Sequence, residues 1–319
     1  MKNTIKRLAP VLDYGVATVT FVFMPVLLVL ARAIRYLPIT QKVLDHFDIA
    51  LLRHHYYSPV IFPSDIRHPL NVPRALPGLN LDVAKQLALL QRFTYRDELL
   101  SIPLKKTNVQ TFGYHNGSFE SGDAEMLYNM IRHFKPRRII EIGAGQSTLV
   151  ALMAQERNSQ DDVNYSCQHI CVEPFEQPWL DKTGAEIIRK RVEILDTAII
   201  DSLEANDILF IDSSHMIRPQ GDVEHEYLRL LGLLRPGVIV HAHDIFTPRD
   251  YPAAWVLGER LLWNEQYLLE AFLSFNDSFE VLAAVNYLSH EHRDALCNAC
   301  PILIGETGRE PGSFWFRRR

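Results

Sequence analysis

Histidine and aspartate side chains follow two apolar runs in the second half of this 319-residue chain. Asp212 and His215 end a run that begins at residue 207, and His243 and Asp244 follow a run that begins at residue 237. If both runs are parallel strands of one sheet, these side chains meet beyond the strand ends, where such sheets bind ligands. Imidazole and carboxylate groups at one place can take a proton from a hydroxyl group or hold a divalent metal ion. The sequence therefore indicates Asp212, His215 and His243 as candidate catalytic residues.

The chemistry of this group has three interpretations. His215 is the first candidate for a general base and His243 the second, because an unperturbed imidazole titrates at about pH 6.5. Alternatively, Asp212, His243 and Asp244 hold Mg²⁺ or another divalent metal, although a histidine among the ligands weakens the case for magnesium. A third possibility is an iron oxygenase site formed by His215, His243 and Asp244.

The elements that must position this group begin with residues 138–150. An extended run ends in Glu141 and Ile142, a Gly-Ala-Gly turn follows, and a helix-like segment begins at Ser147. Gly143 and Gly145 have no Cβ and tolerate positive φ, so a ligand can lie against this turn. The helix offers free N–H groups and the positive end of its dipole. The stretch predicts a strand, a tight turn and a helix around a bound cofactor.

Other acidic and polar residues are placed to contact the same cofactor. Glu173 ends the next strand-like run, 169–173, where a carboxylate can accept both hydroxyl groups of a ribose. Asp196 ends the third run, 192–196. Tyr114 and Asn116 lie in a polar loop before the predicted helix 123–134, and they are candidate contacts to cofactor or substrate.

Glu141-Ile142-Gly143-Ala144-Gly145 resembles the first motif of the class I S-adenosylmethionine-dependent methyltransferases. The resemblance covers roughly residues 111–316. It implies an α/β, Rossmann-like sheet of seven strands in the order 3-2-1-4-5-7-6, with the last strand antiparallel. It also implies that Glu173 binds the ribose, that Asp196 lies near the adenine and that Asp212 lies beside the reaction centre. The full set of expected cofactor contacts is Glu141, Gly143, Gly145, Ser147, Glu173, Asp196, Asp212, Tyr114 and Asn116.

A narrower resemblance rests on residues 210–215 together with residues 243–246. These stretches are similar to bacterial methyltransferase-24-type domains, many of which are associated with the synthesis of surface polysaccharides or secondary metabolites. The resemblance implies O-methylation of a saccharide, a lipid-linked glycan or a similar small hydroxyl acceptor. Macrocin-type O-methyltransferases and cephalosporin-hydroxylase-like proteins, which depend on metals, have a similar arrangement, so a hydroxylase-like activity on the same fold is one alternative. A membrane-bound binding or scaffold protein without turnover is another.

Residues 14–31 carry no charge and, at ~1.5 Å per residue, reach ~27 Å, which is enough to cross a hydrocarbon core. We interpret them as a membrane segment, with a signal peptide and a buried core helix as alternatives. Pro25 favours a kink, and basic residues flank the segment almost evenly, so both a spanning and a re-entrant topology stay open.

The sequence then predicts three parts: an anchor (1–42), a lead-in segment (43–110) and a methyltransferase domain (111–319). We expect the domain on the cytoplasmic side, at the inner membrane if the organism is bacterial.

The composition limits the remaining choices. With 47% hydrophobic and 22% charged residues and a formal net charge of -5, the chain is typical of a folded protein without a nucleic-acid-binding signature. Four cysteines are too few for a disulfide scaffold. Cys297 and Cys300, near His290 and His292, leave a metal site as an alternative to buried thiols. Further periodic segments predict helices at 82–93 and 253–275 and strands at 279–285 and 313–316.

Overall fold

The structure is a computed structural model that describes residues 2–175 and 177–319, without the side chains of residues 2–8, 10 and 11. The chain forms two compact units. The first contains the chain up to Arg67 together with Ala254–Leu262, and the second contains His68–Ala253 and Trp263–Arg319. This division differs from the boundaries expected at residues 42 and 110, because the segment 68–110 packs with the sheet.

The first unit begins with a long apolar helix. Helices α1 (Lys2–Ala33) and α2 (Pro38–His46) are followed by an irregular segment in which the Arg260 guanidinium lies 4.6 Å from the centre of the Phe62 ring. The stretch Leu12–Tyr36 is long and apolar enough to cross a membrane, and no residue of the most apolar window within it is buried. The expected helix is therefore present, and by length and composition it fits a membrane segment, a signal sequence or a core helix.

The second unit contains most of the regular structure. The strands are β1 (Arg138–Ile142), β2 (Gln168–Val172), β3 (Glu186–Ile188), β4 (Ile208–Ile211), β5 (Ile239–Ala242), β6 (Phe279–Ala284) and β7 (Phe314–Arg318). The helices are α3 (Val83–Leu90), α4 (Arg96–Ser101), α5 (Asp123–Phe134), α6 (Gln146–Asp161), α7 (Ala198–Asp201), α8 (Asp222–His225), α9 (Leu231–Leu233), α10 (Glu265–Leu273), α11 (Val285–Glu291) and α12 (Arg293–Ala299). Two π-helical segments, Glu226–Leu230 and, in the first unit, Ala254–Glu259, complete the set of longer elements.

The strands form one sheet in the order β3-β2-β1-β4-β5-β7-β6. The pairs from β3 to β5 are parallel, whereas β7 pairs antiparallel with both β5 and β6. This confirms the expected Rossmann-like order with an antiparallel last strand. The carboxyl ends of β1, β2, β4 and β5 consequently lie at one edge of the sheet, where a site is expected.

Alternate residues of the central strands enter two separate cores. Ile208 and Phe210 of β4 pack with residues of α5 and α6 on one face, and Leu209 and Ile211 pack on the other. Both faces of a parallel sheet are covered in this way, which is why its strands are continuous apolar runs rather than alternating ones.

Two predicted elements were wrong. The third strand is Glu186–Ile188, and residues 192–194 form a 3₁₀ turn. Val192 and Leu195 are buried three positions apart while Ile194 is exposed, a spacing that suits a single turn better than a strand. The predicted helix 253–275 is also interrupted: α10 begins only at Glu265, after a break in which Arg260 has a φ of 55°.

Candidate active site

A cavity of about 310 Å³ lies at the carboxyl ends of β1, β2 and β4. Its volume falls within the range of small-molecule sites, roughly 300–1,000 Å³. Gly143, Glu173 and Asp212, which were expected to contact the cofactor, line it. The other lining residues are Ile142, Val172, Pro174, Phe175, Arg191, Val192, Glu193, Ser213, Ser214, Arg218 and Asp222.

The glycine turn has the conformation that its sequence predicts, and the two glycines have different reasons for being there. Gly143 has a φ of 80°, and a Cβ on it would lie 1.8 Å from the carbonyl oxygen of Asp212. Gly145 has an extended φ of -169°, and among the described residues no heavy atom lies within 4 Å of the Cβ it would carry. Gly143 is thus required by the close approach of β1 and β4, whereas Gly145 leaves space beside the turn.

Glu141 lies beneath the turn rather than in the cavity. Its buried carboxylate accepts hydrogen bonds from the Ser147 hydroxyl (2.6 Å), the Thr148 hydroxyl (2.9 Å) and His169 Nε2 (2.8 Å). The amide nitrogen of Gln155 donates to the other ring nitrogen of His169, so the ring proton is on Nε2. Glu141 and Ser147 therefore tie β1, β2 and the start of α6 together, with their side chains turned toward each other.

Glu173 lines the cavity at the end of β2, and its two oxygens also hold the neighbouring loops. Oε2 accepts the N–H of Ala144 at 3.2 Å, and Oε1 accepts the N–H of Phe175 at 2.8 Å. Asp196, by contrast, is exposed and accepts the N–H of Ala198 at the start of α7. Because β3 ends at Ile188, the acid that lines the cavity after the third strand is Glu193 and not Asp196.

Tyr114 and Asn116 do not line this cavity. Tyr114 is 1% exposed, and its hydroxyl group donates to the carbonyl oxygen of Leu99. The Asn116 amide donates to the carbonyl oxygen of Phe119 at 2.7 Å, and its oxygen accepts the N–H of Phe119 at 2.9 Å, so this side chain closes its own loop. Both residues stabilise the entry to α5 in this structure.

Asp212, His215, His243 and Asp244 converge at the ends of β4 and β5. His215 Nε2 lies 3.3 Å from Asp212 Oδ1 and 3.5 Å from Asp244 Oδ2. His243 Nδ1 lies 3.5 Å from Asp212 Oδ1 and 3.5 Å from Asp244 Oδ1. The expectation that these four side chains meet is confirmed, and Asp212 belongs both to this cluster and to the cavity wall.

The pKa values of the cluster follow from burial and from opposite charges. Burial alone would raise the pKa of Asp212, but the imidazoles of His243 and His215 outweigh it and hold that pKa below its usual range. Burial alone would lower the pKa of His215, but hydrogen bonding to Asp212 and Glu265 raises it well above its usual value. The pKa of His243 is raised in the same way by Asp244 and Asp212, against the effect of burial. For Asp244, burial raises the pKa despite both histidines.

Several cavity and cluster residues were missed in the sequence. Glu193 lies in the run 192–196 that was interpreted as a strand, Arg191 directly precedes that run, and Glu265 lies in the polar stretch 263–267 within the supposed long helix. That polar interruption was the available signal for the break before α10. Phe175, two residues beyond Glu173, gives the cavity an exposed apolar ring.

The second cysteine pair contributes to the core. Cys297 and Cys300 are buried free thiols packed among apolar residues, and burial raises the pKa of the Cys300 thiol well above its usual value. His290 pairs with Glu310 at 2.8 Å. The interpretation as buried thiols therefore fits this structure better than a metal site at residues 290–300.

Comparisons with known proteins find one matching family model and several proteins that resemble parts of this chain. Residues 140–245 match the model of a family described as a methyltransferase domain. An uncharacterized protein of Archaeoglobus fulgidus is 27% identical over 167 residues, which cover 48% of this chain and 74% of that protein. A putative methyltransferase from Thermobifida fusca is 14% identical with a TM-score of 0.35, covering 76% of this chain and 97% of that chain. A putative protein-L-isoaspartate O-methyltransferase from Plasmodium falciparum, solved with S-adenosyl-L-homocysteine, is 14% identical with a TM-score of 0.27, covering 50% and 83%.

Proposed function

We propose that this chain is a class I S-adenosylmethionine-dependent methyltransferase, and that it methylates a hydroxyl group of a saccharide, a lipid-linked glycan or a similar small acceptor. The observation that supports the proposal is that Asp212 belongs both to the cavity wall and to the cluster of histidines and aspartates. Its carboxylate lines the cofactor-sized cavity and also contacts His215 and His243. A methyl donor in the cavity would therefore present its methyl group beside the groups that act on an acceptor.

The reaction is a displacement at the methyl carbon. The acceptor oxygen forms a bond to that carbon, the bond from carbon to sulfur breaks, and S-adenosylhomocysteine leaves with the electron pair. The hydroxyl proton passes to a base. Holding the two reactants in line is worth ~7–11 kcal/mol in such reactions, and transfer of the proton adds a smaller contribution.

We assign the acceptor hydroxyl to the cluster of Asp212, His215 and His243. Asp212 is the most exposed of the three and reaches the cavity, while both histidine rings are almost fully buried behind it. Asp212 accepts a hydrogen bond from the hydroxyl group and orients it toward the methyl carbon. An imidazole in its neutral form then accepts the proton, His215 first and His243 second.

The charges of the cluster favour a second arrangement, in which it holds a divalent cation. The raised pKa values of His215 and His243 mean that the carboxylates alone keep these rings protonated, and an imidazolium ion is not a base. The ligand atoms of Asp212, His215 and Asp244 lie within 4.8 Å of one another, so these residues fit a divalent cation, with His243 beside them. Imidazole donors suit a transition metal better than Mg²⁺. Such a cation would orient and acidify the acceptor hydroxyl.

The membrane context of the substrate rests on the first unit. An apolar stretch of 25 residues whose most apolar window has no buried residue is the expected feature of an anchor, and it would confine the enzyme and a lipid-linked acceptor to one surface. We place the second unit on the cytoplasmic side, because S-adenosylmethionine is made and used there.

Isothermal titration of the full chain in detergent with S-adenosylmethionine and S-adenosylhomocysteine tests the cofactor site. We expect both to bind, and Glu173→Ala to weaken both by at least tenfold.

Incubation with methyl-tritiated S-adenosylmethionine and native membranes tests the acceptor. Label in the organic phase supports a lipid-linked acceptor, and label in soluble saccharides supports a free one. Absence of binding to either cofactor form would overturn the methyltransferase site as described.

A further inference from the structure

Glu265, the first residue of α10, has a buried carboxylate that binds Nδ1 of His215. We call Nδ1 the outer nitrogen of this ring because the other nitrogen, Nε2, faces the cluster. His215 Nδ1 lies 2.8 Å from Glu265 Oε2, and Glu265 is 0% exposed. The other carboxylate oxygen accepts a hydrogen bond from the Tyr227 hydroxyl at 2.7 Å. Glu265 therefore has two well-defined partners, and one of them is the ring whose opposite nitrogen faces Asp212 and Asp244.

The start of α10 also fixes the backbone of His215. The N–H groups of Asn264 and Glu265 donate to the carbonyl oxygen of His215 at 2.9 and 3.2 Å. His215 has a φ of 59°, a conformation that a residue with a Cβ adopts at a cost and keeps only when its surroundings impose it. The Trp263 ring lies 4.3 Å from the imidazole, centre to centre. Backbone, ring face and outer nitrogen are thus all held by residues 263–265.

A buried carboxylate also faces His243, but at a longer distance. Its Nε2 lies 3.7 Å from Asp123 Oδ2, while its Nδ1 faces Asp212 and Asp244. Asp123 is itself held by the N–H groups of Gly312 and Ser313 and by Arg309. Each histidine of the cluster therefore has one nitrogen facing inward and one facing a buried carboxylate.

We propose that Glu265 is a positioning residue that keeps the proton of neutral His215 on Nδ1, so that the lone pair of Nε2 points toward Asp212 and Asp244. Histidines that bind metals generally donate their other ring N–H to a carboxylate or carbonyl group in this way. The inference rests on the cation-binding arrangement of the proposed function and names the residue that prepares it. Asp123 lies 3.7 Å from His243 Nε2, beyond hydrogen-bond length, and its other contacts also make it a poor test residue.

The test is a titration of the full chain in detergent with Co²⁺ alone, followed by visible absorption. Three proteins are compared: wild type, E265Q and Y227F. The E265Q amide can satisfy Tyr227 with its oxygen only by turning its N–H₂ toward His215 Nδ1, which moves the ring proton to Nε2. We expect E265Q to bind Co²⁺ ~10- to 100-fold more weakly than wild type. Y227F keeps the carboxylate and should stay within about threefold of wild type.

Titration with S-adenosylmethionine separates this inference from the methyltransferase function. All three proteins should bind it equally, because Glu265 does not line the cofactor cavity. Any of three results would overturn the positioning role. Wild type and E265Q bind Co²⁺ with equal affinity, or E265Q and Y227F lose Co²⁺ affinity equally. In the third result, wild type binds S-adenosylmethionine but does not bind Co²⁺. If E265Q misfolds and loses S-adenosylmethionine binding, the E265D variant is tested instead. Co²⁺ binding weaker than that of wild type, with intact cofactor binding, supports the inference. Unchanged Co²⁺ binding overturns it.

Discussion

Gly143 lies so close to Asp212 that a Cβ on it would stand 1.8 Å from the Asp212 carbonyl oxygen. The N–H of Asp212 also donates to the carbonyl oxygen of Ile142 at 2.9 Å. The turn after β1 and the end of β4 are consequently one rigid unit. A change in the glycine turn should therefore disturb the cluster of Asp212, His215, His243 and Asp244 as well as the cavity beside the turn.

Gly143→Ala should abolish the native fold of the second unit. The left-handed φ costs an alanine ~1–2 kcal/mol, and the clash is with a backbone carbonyl that is fixed by the sheet. We expect a total loss of more than about 4 kcal/mol, measured as the disappearance of the cooperative thermal transition followed by circular dichroism.

Gly145→Ala is the matched control for that substitution. Its extended φ and the open space around it predict a Tm close to that of wild type. If the cofactor lies against the turn, the added methyl group should weaken binding of S-adenosylmethionine by about tenfold, or ~1.4 kcal/mol. An unchanged affinity in isothermal titration would place the cofactor away from Gly145.

Glu141→Ala should destabilise the protein by ~3–5 kcal/mol, because the donors of Ser147, Thr148 and His169 would all lose a buried acceptor. The measurement is the shift of the Tm of the detergent-solubilised chain. His169→Leu removes one donor and leaves the hydroxyl contacts, so it should cost less than Glu141→Ala. A Tm unchanged by Glu141→Ala would contradict the structural role assigned to this carboxylate.

The glycine motif shows which structural features could be predicted from the sequence and which could not. The strand, the turn and the helix around Gly143 were predictable because hydrophobic pattern and glycine chemistry are local properties. The burial of Glu141 was not, because it depends on His169 of the neighbouring strand. Convergence of Asp212, His215, His243 and Asp244 was predictable from parallel topology alone, whereas Glu265 reaches His215 across 50 residues of sequence.

Glu193→Ala should weaken S-adenosylmethionine binding and Asp196→Ala should leave it unchanged. Glu193 lines the cavity, while Asp196 is exposed and caps the start of α7. Loss of a hydrogen bond from a charged group costs ~1.5–3 kcal/mol, or roughly 10- to 150-fold in affinity. Isothermal titration of both variants gives the comparison, and the opposite ranking would restore the role that the sequence alone suggested for Asp196.

The misplaced third strand explains that difference between sequence and structure. Val192, Ile194 and Leu195 are apolar, so the sequence offers both the alternation of an edge strand (192 and 194) and the spacing of a single turn (192 and 195), and periodicity cannot separate the two. Only pairing along β2 decides, and there Glu186, Ile187 and Ile188 occupy the available edge.

Glu125 should make stability fall as the pH rises from about 5 to about 7. Burial raises its pKa to about 7, although the N–H groups of Gly122 and Ile302 oppose the shift. Between the unfolded pKa and this value the unfolded chain releases the proton and the folded chain keeps it, so unfolding becomes more favourable with increasing pH. The expected loss is about 3 kcal/mol, complete once the pH passes the folded pKa.

The Glu125→Gln variant provides the control for this pH dependence. Its side chain does not titrate, so the Tm of wild type should fall relative to that of the variant as the pH rises from 5 to 8. Asp123, with a pKa lowered to about 2, contributes its own change only below the window that is measured, because its stabilisation is lost as the pH falls through that value. A constant difference in Tm would show that Glu125 is ionised throughout.

If the apolar helix anchors the protein as proposed, two charges in it should release the protein from the membrane. Val22 and Val26 are exposed side chains in the middle of Leu12–Tyr36, so Val22→Arg with Val26→Arg disturbs no packing within this chain. Each arginine at the centre of a spanning helix costs ~2.5–3.5 kcal/mol of insertion. We expect the double variant in the soluble fraction after carbonate extraction and the control Thr40→Arg in the pellet.

Because the cofactor cavity lies in the second unit, the released protein should bind S-adenosylmethionine as wild type does. Retention of the double variant in the pellet would mean that another part of the chain holds it at the membrane.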